Sequence, residues 1–180
     1  SSLDKGGLGF DATIAGSVVG TYWFLMLIGR MIGAAVGAKV SSKAMLTYVS
    51  SLGIILVLAA IFTPIGLQAS MPVFRSDISF GLNTIPMSIV FLVLCGLCTS
   101  VMWGGIFNLA VEGLGKYTES ASGFFMVMVC GGGILPLIQG YFADWLGYVN
   151  SYWVIVVALV FLLYYALAGY RNVNKDIPVT

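Results

Sequence analysis

Arg30 lies well inside a long apolar stretch that runs from Thr13 to Ala38, and its chemistry there needs a reason. A guanidinium placed in hydrocarbon costs roughly 2.5–3.5 kcal/mol on insertion scales. Counting back from Lys39 at about 1.5 Å per residue puts Arg30 about 13 Å inside the nearer boundary. That is deeper than a side chain comfortably covers by stretching back to the interface. It therefore either faces a buried partner or an aqueous cavity, or reaches back to interfacial carbonyls. Glu112 is the candidate partner, with Lys116, four residues further on, competing for it as a local helical pair. Ser100, Gly104, Asn108 and Glu112 recur every four residues, so they share one helical face, with Trp103 beside it. The amides of Asn108 and Gln139 both donate and accept, which suits sugar hydroxyls, and Trp103 offers a flat apolar surface for a sugar ring. Interhelical hydrogen bonding for the two amides, and packing or interface anchoring for Trp103, stay open. Asp144 reads as an interfacial loop residue.

Other chemistries find no support. The chain has no His, and its Asp, Glu and Cys residues form no cluster at metal-ligand spacing. Neither a metal, a cofactor nor a catalytic constellation is expected, so the chain does not read as an enzyme. Cys95, Cys98 and Cys130 all fall in apolar stretches, where a thiol is a small packing residue. The Cys95-Gly96-Leu97-Cys98 spacing lacks the strand-to-helix setting of a redox motif. The net charge of +1 says nothing about partners, and no nucleic-acid partner is expected.

The elements that carry these residues follow from hydropathy. The chain is 59% hydrophobic and 8% charged, with a mean hydropathy of +1.02, against about 25% charged residues in an ordinary soluble domain. Apolar runs close to the roughly 20 residues needed to cross a bilayer predict spans at Thr13 to Ala38, Ala44 to Ile65, Pro86 to Val111, Ser120 to Phe142 and Val149 to Gly169. Ile54 to Ile61 and Val154 to Leu163 are unbroken apolar runs, where a membrane barrel strand would alternate. The spans are therefore helices, and the fold class is an all-α polytopic membrane protein. The gap 66–85 reads as an extracellular loop or a short interfacial segment.

Lys39, Lys43, Lys116, Arg171 and Lys175 fall on one side of these spans and only Lys5 and Arg75 on the other. The positive-inside rule then has the chain begin outside and end in the cytoplasm, with the compact loops suggesting a bacterial inner membrane. Residues 1–12 are expected as an extracellular or periplasmic loop, 13–170 as the five-helix membrane part and 171–180 as a cytoplasmic tail. Ser1 to Phe10 is polar and has no apolar core of a signal peptide, which suggests part of a larger protein.

Glycines add the packing. Gly29, Gly33 and Gly37 recur every four residues, with Gly16 and Gly20 before them, a stripe that lets helix backbones approach closely. Gly131, Gly132 and Gly133 followed by Pro136 weaken a helix from within and predict a bend.

The run from Ser100 to Asp144 resembles the tenth and eleventh helices of the fucose-galactose-glucose:proton symporters, a branch of the major facilitator superfamily. The resemblance rests on Glu112-Gly113-Leu114-Gly115, Thr118, Ala121-Ser122-Gly123 and the stretch G-G-G-I-L-P-L-I-Q-G-Y-F-A-D from Gly131 to Asp144. Ile28 to Lys43 resembles the eighth helix and its following loop. It implies that the five spans are helices eight to twelve of a twelve-helix transporter whose amino-terminal lobe is absent here. It also implies alternating access about a midplane site, with Trp103 near the sugar and Arg30 with Glu112 as charges that close the cytoplasmic gate.

Gly104-Gly105 stands where the fucose permease pattern has Pro-Thr, and Glu112 in its motif is closer to the hexose branch, so a glucose- or galactose-type sugar is expected. The coupling carboxylates of that family lie in the amino-terminal lobe, leaving proton and sodium both open. A fucose or N-acetylglucosamine symporter, a drug-type exporter and a non-transporting membrane subunit are the alternatives.

Overall fold

Ser41 caps the second span by accepting the Ala44 N–H (3.3 Å), and Pro86 stands at the head of the third, so the chain marks its own helix starts. The computed structural model describes residues 12–64, 66–74 and 79–171. Its helices are α1 (Ala12–Gly37), α2 (Ser42–Phe62), α3 (Met87–Val111), α4 (Thr118–Met128), α5 (Gly131–Leu146) and α6 (Trp153–Tyr164), the last continued by a π turn over Tyr165–Gly169. Strands β1 (Gln68–Phe74) and β2 (Phe80–Pro86) join α2 to α3. Short 3-10 turns precede α4 (Gly115–Tyr117) and α6 (Asn150–Tyr152). Five helical stretches among the described residues are long and apolar enough to cross a membrane, with α4 and α5 together forming the fourth. The expected loop and tail at 1–11 and 172–180, together with Ile65, Arg75 and Asp77, lie outside the described residues.

Helix α3 is central, packed between α2 and α1, and α6 closes on the far side of α2. Lipid tails are as apolar as leucine, so close backbone approach rather than burial from water must hold such helices together. Glycine supplies that approach. A Cβ added at Gly29 would overlap the Ser100 side chain, one at Gly33 would come within 2.7 Å of Val101, and one at Gly96 within 2.8 Å of the Tyr22 carbonyl. Gly29 and Gly33 of the α1 stripe thus pack against α3 and Gly37 meets Met45 of α2, while Gly16 of the earlier pair meets nothing within 4 Å. Leu46 and Val57 of α2, Cys95, Cys98, Met102 and Leu109 of α3, and Val156, Leu159 and Ala166 around α6 form the main core. Cys95 and Cys98 are free thiols within it, as packing residues would be.

The gap between the second and third spans folds as an antiparallel hairpin, paired from Gln68 opposite Pro86 to Phe74 opposite Phe80. Its faces alternate: Val73 and Ile85 are fully buried, while Leu82 is 73% exposed. The base is fastened by the Met87 N–H donating to the Leu67 carbonyl (2.8 Å). Near the tip, the Phe74 N–H donates to Thr21 Oγ1 (2.8 Å), and Phe24 stacks on Phe74 at 5.5 Å. Thr21 also donates to the Ser17 carbonyl (2.8 Å), so its hydroxyl is used in both senses.

Two sequence expectations change shape here. Glu112 caps the end of α3, and Gly113 then takes φ +77°, so Glu112 and Lys116 do not share a helix and the expected local helical pair has no helix to sit on. The span expected at Ser120 to Phe142 is divided: Gly132 and Gly133 bond back three residues, to the Val129 and Cys130 carbonyls, where α5 starts. Pro136 lies inside α5 and withholds the N–H that would bond Gly132, four residues back, so Gly131, Gly132, Gly133 and Pro136 all follow directly on the interruption. At the opposite end from the hairpin, the Lys43 ammonium lies over the Tyr170 ring at 5.1 Å and ties α2 to the end of the π turn.

Candidate functional site

The four-residue recurrence on α3 does bring its polar side chains to one place. Ser100, Gly104 and Asn108 line a groove of about 300 Å³ together with Arg30, Gly33 and Met45. Arg30 is held there because Gly29 and Gly33 on either side of it press α1 onto α3. Asn108 donates from Nδ2 to Ser42 Oγ at 3.4 Å, an interhelical bond of the kind the sequence left open. Glu112 is exposed one turn beyond Asn108, outside the groove lining, and among the described residues no ion pair joins it to Arg30. The arrangement can offer a guanidinium, an amide and hydroxyls to a polar group entering between α1 and α3.

Trp103 sits on another face of α3. It is 44% exposed and meets the edge of Phe125 of α4 at 5.2 Å, with Phe107 on the same ring at 5.4 Å. This cluster is the main attachment of α4 to α3, and it leaves part of the indole open.

Gln139 is elsewhere again. It projects from α5 into a cavity of about 510 Å³ shared with Tyr22, Cys95, Thr99 and Tyr152, walled by Val18, Leu92 and Ile155 among others. Tyr22 Oη and Thr99 Oγ1 are hydrogen-bonded at 3.0 Å. The structure therefore separates the three candidate sugar contacts: Asn108 with Arg30, Trp103 with Phe125, and Gln139 with the two tyrosines and Thr99. Tyr22, Thr99 and Tyr152 were not singled out in the sequence. Thr99 is one step, about 100°, around the helix from Ser100, off the face that the four-residue recurrence marked. Asp144 is exposed close to the end of α5, two residues before its last residue.

Comparison with characterised proteins gives a consistent direction. The chain is 28% identical over 164 residues to a glucose/galactose transporter of Brucella abortus, an alignment covering 91% of this chain and 35% of the relative. It is 28% identical over 170 residues to a putative glucose/galactose transporter of Helicobacter pylori, covering 92% of this chain and 37% of the relative. An L-fucose-proton symporter of Escherichia coli is 28% identical over 86 residues, 48% of this chain and 19% of the relative. The chain thus spans about a third of the length of the two glucose/galactose transporters it matches. No family model matches it, and no solved structure is similar. Relatives named as sugar transporters, at low identity, cover most of an integral membrane chain with five membrane-length helices.

Proposed function

We propose that this chain is the carboxyl-terminal part of a secondary transporter that moves a neutral hexose of the glucose or galactose type by cation symport, through alternating access. The observation that carries the reading is the similarity to glucose/galactose transporters along more than nine-tenths of the chain. The sugar has no charge, so uphill movement must draw on a coupled proton or sodium ion, and a ligand shifts the inward–outward balance only by its differential affinity for the two states. In this reading residues 1–12 form an outer loop, the basic end bearing Lys39, Lys43 and Lys116 faces the cytoplasm of a bacterium, and residues 171–180 are a cytoplasmic tail. The remaining length of the relatives corresponds to an amino-terminal lobe of the same polypeptide.

Within that cycle Arg30 and Glu112 close the cytoplasmic side by pairing, Trp103, Asn108 and Gln139, on three separate surfaces, meet the sugar at different points of its passage rather than together, and Gly131, Gly132, Gly133 and Pro136 let the fourth span flex. Arg30 and Glu112 lie toward the same end of α1 and α3, and the groove beside Arg30 has room for an incoming carboxylate. Glu112→Gln in the complete protein is expected to slow uptake while leaving sugar binding nearly unchanged; lost binding with an unchanged rate at saturation would reject the gate. The Escherichia coli relative keeps L-fucose as the second candidate substrate.

The deciding experiment is uptake of labelled glucose, galactose, fucose and N-acetylglucosamine into vesicles holding the full-length protein, with and without imposed proton and sodium gradients. Accumulation of one sugar only under one gradient supports symport and identifies both solutes. Folded, inserted protein that accumulates none of them returns the exporter and subunit readings.

A further inference from the structure

We propose that the open cavity bordered by α1, α2, α3, α5 and the start of α6 is a hexose-binding site, with Tyr22, Thr99, Gln139 and Tyr152 as its hydrogen-bonding groups. The proposal rests on the sugar-transport reading for the identity of the ligand and on the cavity's own chemistry for its class.

The first argument is charge. Among the described residues no charged side chain lines the cavity, and an ionic ligand brought there from water would lose part of its hydration without a counter-charge. The ligand is therefore neutral. At about 510 Å³ the space is within the roughly 300–1,000 Å³ typical of small-molecule sites. Its walls are mostly aliphatic, with a few polar groups brought in from separate elements, which is how such sites combine affinity with orientation.

The second argument is hydrogen-bond accounting. Thr99 has one hydroxyl proton and two α3 carbonyls within 3.2 Å, those of Cys95 and Gly96. With that proton committed to the backbone, Tyr22 is the donor in the 3.0 Å contact with Thr99, and its oxygen is left as an acceptor at the cavity. The Gln139 amide and the Tyr152 hydroxyl have no hydrogen-bond partner among the described residues. Together they present amide donors, an amide acceptor and a hydroxyl that does either. A ligand whose hydroxyls donate and accept in turn matches this set. The aliphatic walls then meet the C–H face of a sugar ring.

The third argument is rigidity. Gly96 lets the Tyr22 backbone lie directly against α3, so the Tyr22–Thr99 pair is fixed by the same close seam that joins α1 to α3. A site whose polar groups are already positioned loses less entropy on binding.

The test uses the purified full-length protein. Equilibrium binding of labelled glucose and galactose is measured for the wild type and for Tyr152→Phe, Gln139→Leu and Thr99→Val. Alkylation of Cys95, which lines the cavity, and of Cys98, which does not, is followed by peptide mass spectrometry with and without sugar. Each of Tyr152→Phe and Gln139→Leu is expected to weaken binding about tenfold, and saturating sugar is expected to slow alkylation of Cys95 but not of Cys98. Wild-type affinity in the variants, with Cys95 unprotected, overturns the site and leaves sugar transport standing. A wild type that neither binds nor transports any sugar overturns both. Should a variant fail to fold, the Cys95 protection measured on the wild type still decides between the first two results.

Discussion

Glycine has opposite meanings in the two halves of this bundle. Along the α1–α3 seam, Gly29 and Gly96 are present because nothing larger fits: an added Cβ collides with Ser100 in one case and with the Tyr22 backbone in the other. In α5, Gly131, Gly132, Gly133 and Gly140 have nothing within 4 Å of where a Cβ would stand. There the missing side chain leaves the backbone free to leave the helical path, which it does between Val129 and Gly133. The burial follows suit. Helices α2, α3 and α6 share a continuous core, whereas across α4 and α5 only Ala143 is buried. One region is held by contact and the other by attachment at its ends, through the Trp103–Phe125 cluster and the turn into α6. A stripe of small residues therefore speaks of packing only when a neighbour is there to occupy the space.

This contrast can be attacked with matched substitutions, the strongest first. Leu159→Ala removes a side chain that is 6% exposed in the core and is expected to lower stability by about 2–5 kcal/mol, whereas Leu137→Ala on α5, 75% exposed here, should change it by less than about 0.5 kcal/mol. Thermal unfolding of the solubilised full-length protein measures both. A large loss at Leu137 there would mean that the rest of the polypeptide covers α5.

Next in size is a glycine pair. Gly29→Ala should destabilise by about 1–3 kcal/mol through overpacking, with partial rescue by Ser100→Ala. Gly132→Ala should be neutral or stabilising by up to about 1 kcal/mol, since alanine favours helix there. Equal effects at the two positions, read by the same unfolding assay, would erase the distinction between seam and bend. Thr21→Val deletes the acceptor of the Phe74 N–H and is expected to cost about 1 kcal/mol. Hydrogen exchange at the Phe74 amide should speed up; unchanged protection would mean that the stacked rings alone hold the hairpin.

The smallest effect lies at Tyr170, just beyond the last span. The Lys43 ammonium beside it, with help from Arg171, holds its phenol below the usual value near 10. A depressed acid contributes stability that is fully present above its unfolded value and is lost as pH falls through the lower folded one. Ultraviolet titration should find one tyrosine ionising ahead of the exposed ones, and Lys43→Gln should return it to them.

Much of this was open to inspection in the residues. The spans at Met87–Val111 and Ser42–Phe62 were legible because a bilayer requires length and apolarity, and both are properties of a segment alone. The Arg30, Ser100 and Asn108 groove was half legible: helical periodicity aligns Ser100 with Asn108, but nothing in α3 says that α1 lies opposite with Arg30 between them. The hairpin was less visible, since Gln68 to Phe74 is short and includes Pro72, which cannot donate to a ladder. It forms because Val73 and Ile85 find a surface to bury against. The division of the fourth span was signalled by its glycines and proline, though the position of the break was not.

By itself, then, the sequence determined that this is a membrane protein of five helical spans, which residues in those spans are too polar to be there by chance, and where backbone irregularity is cheap. Those are consequences of composition and of the 3.6-residue period, and they act within a segment. Tertiary structure alone decided that Gln139 keeps company with Tyr22, Thr99 and Tyr152, while Asn108 and Trp103 face elsewhere. Those residues are as much as 130 positions apart in the chain, and what joins them is the closeness of α1 to α3 and the angle at which α5 returns toward α6, neither of which any local pattern records.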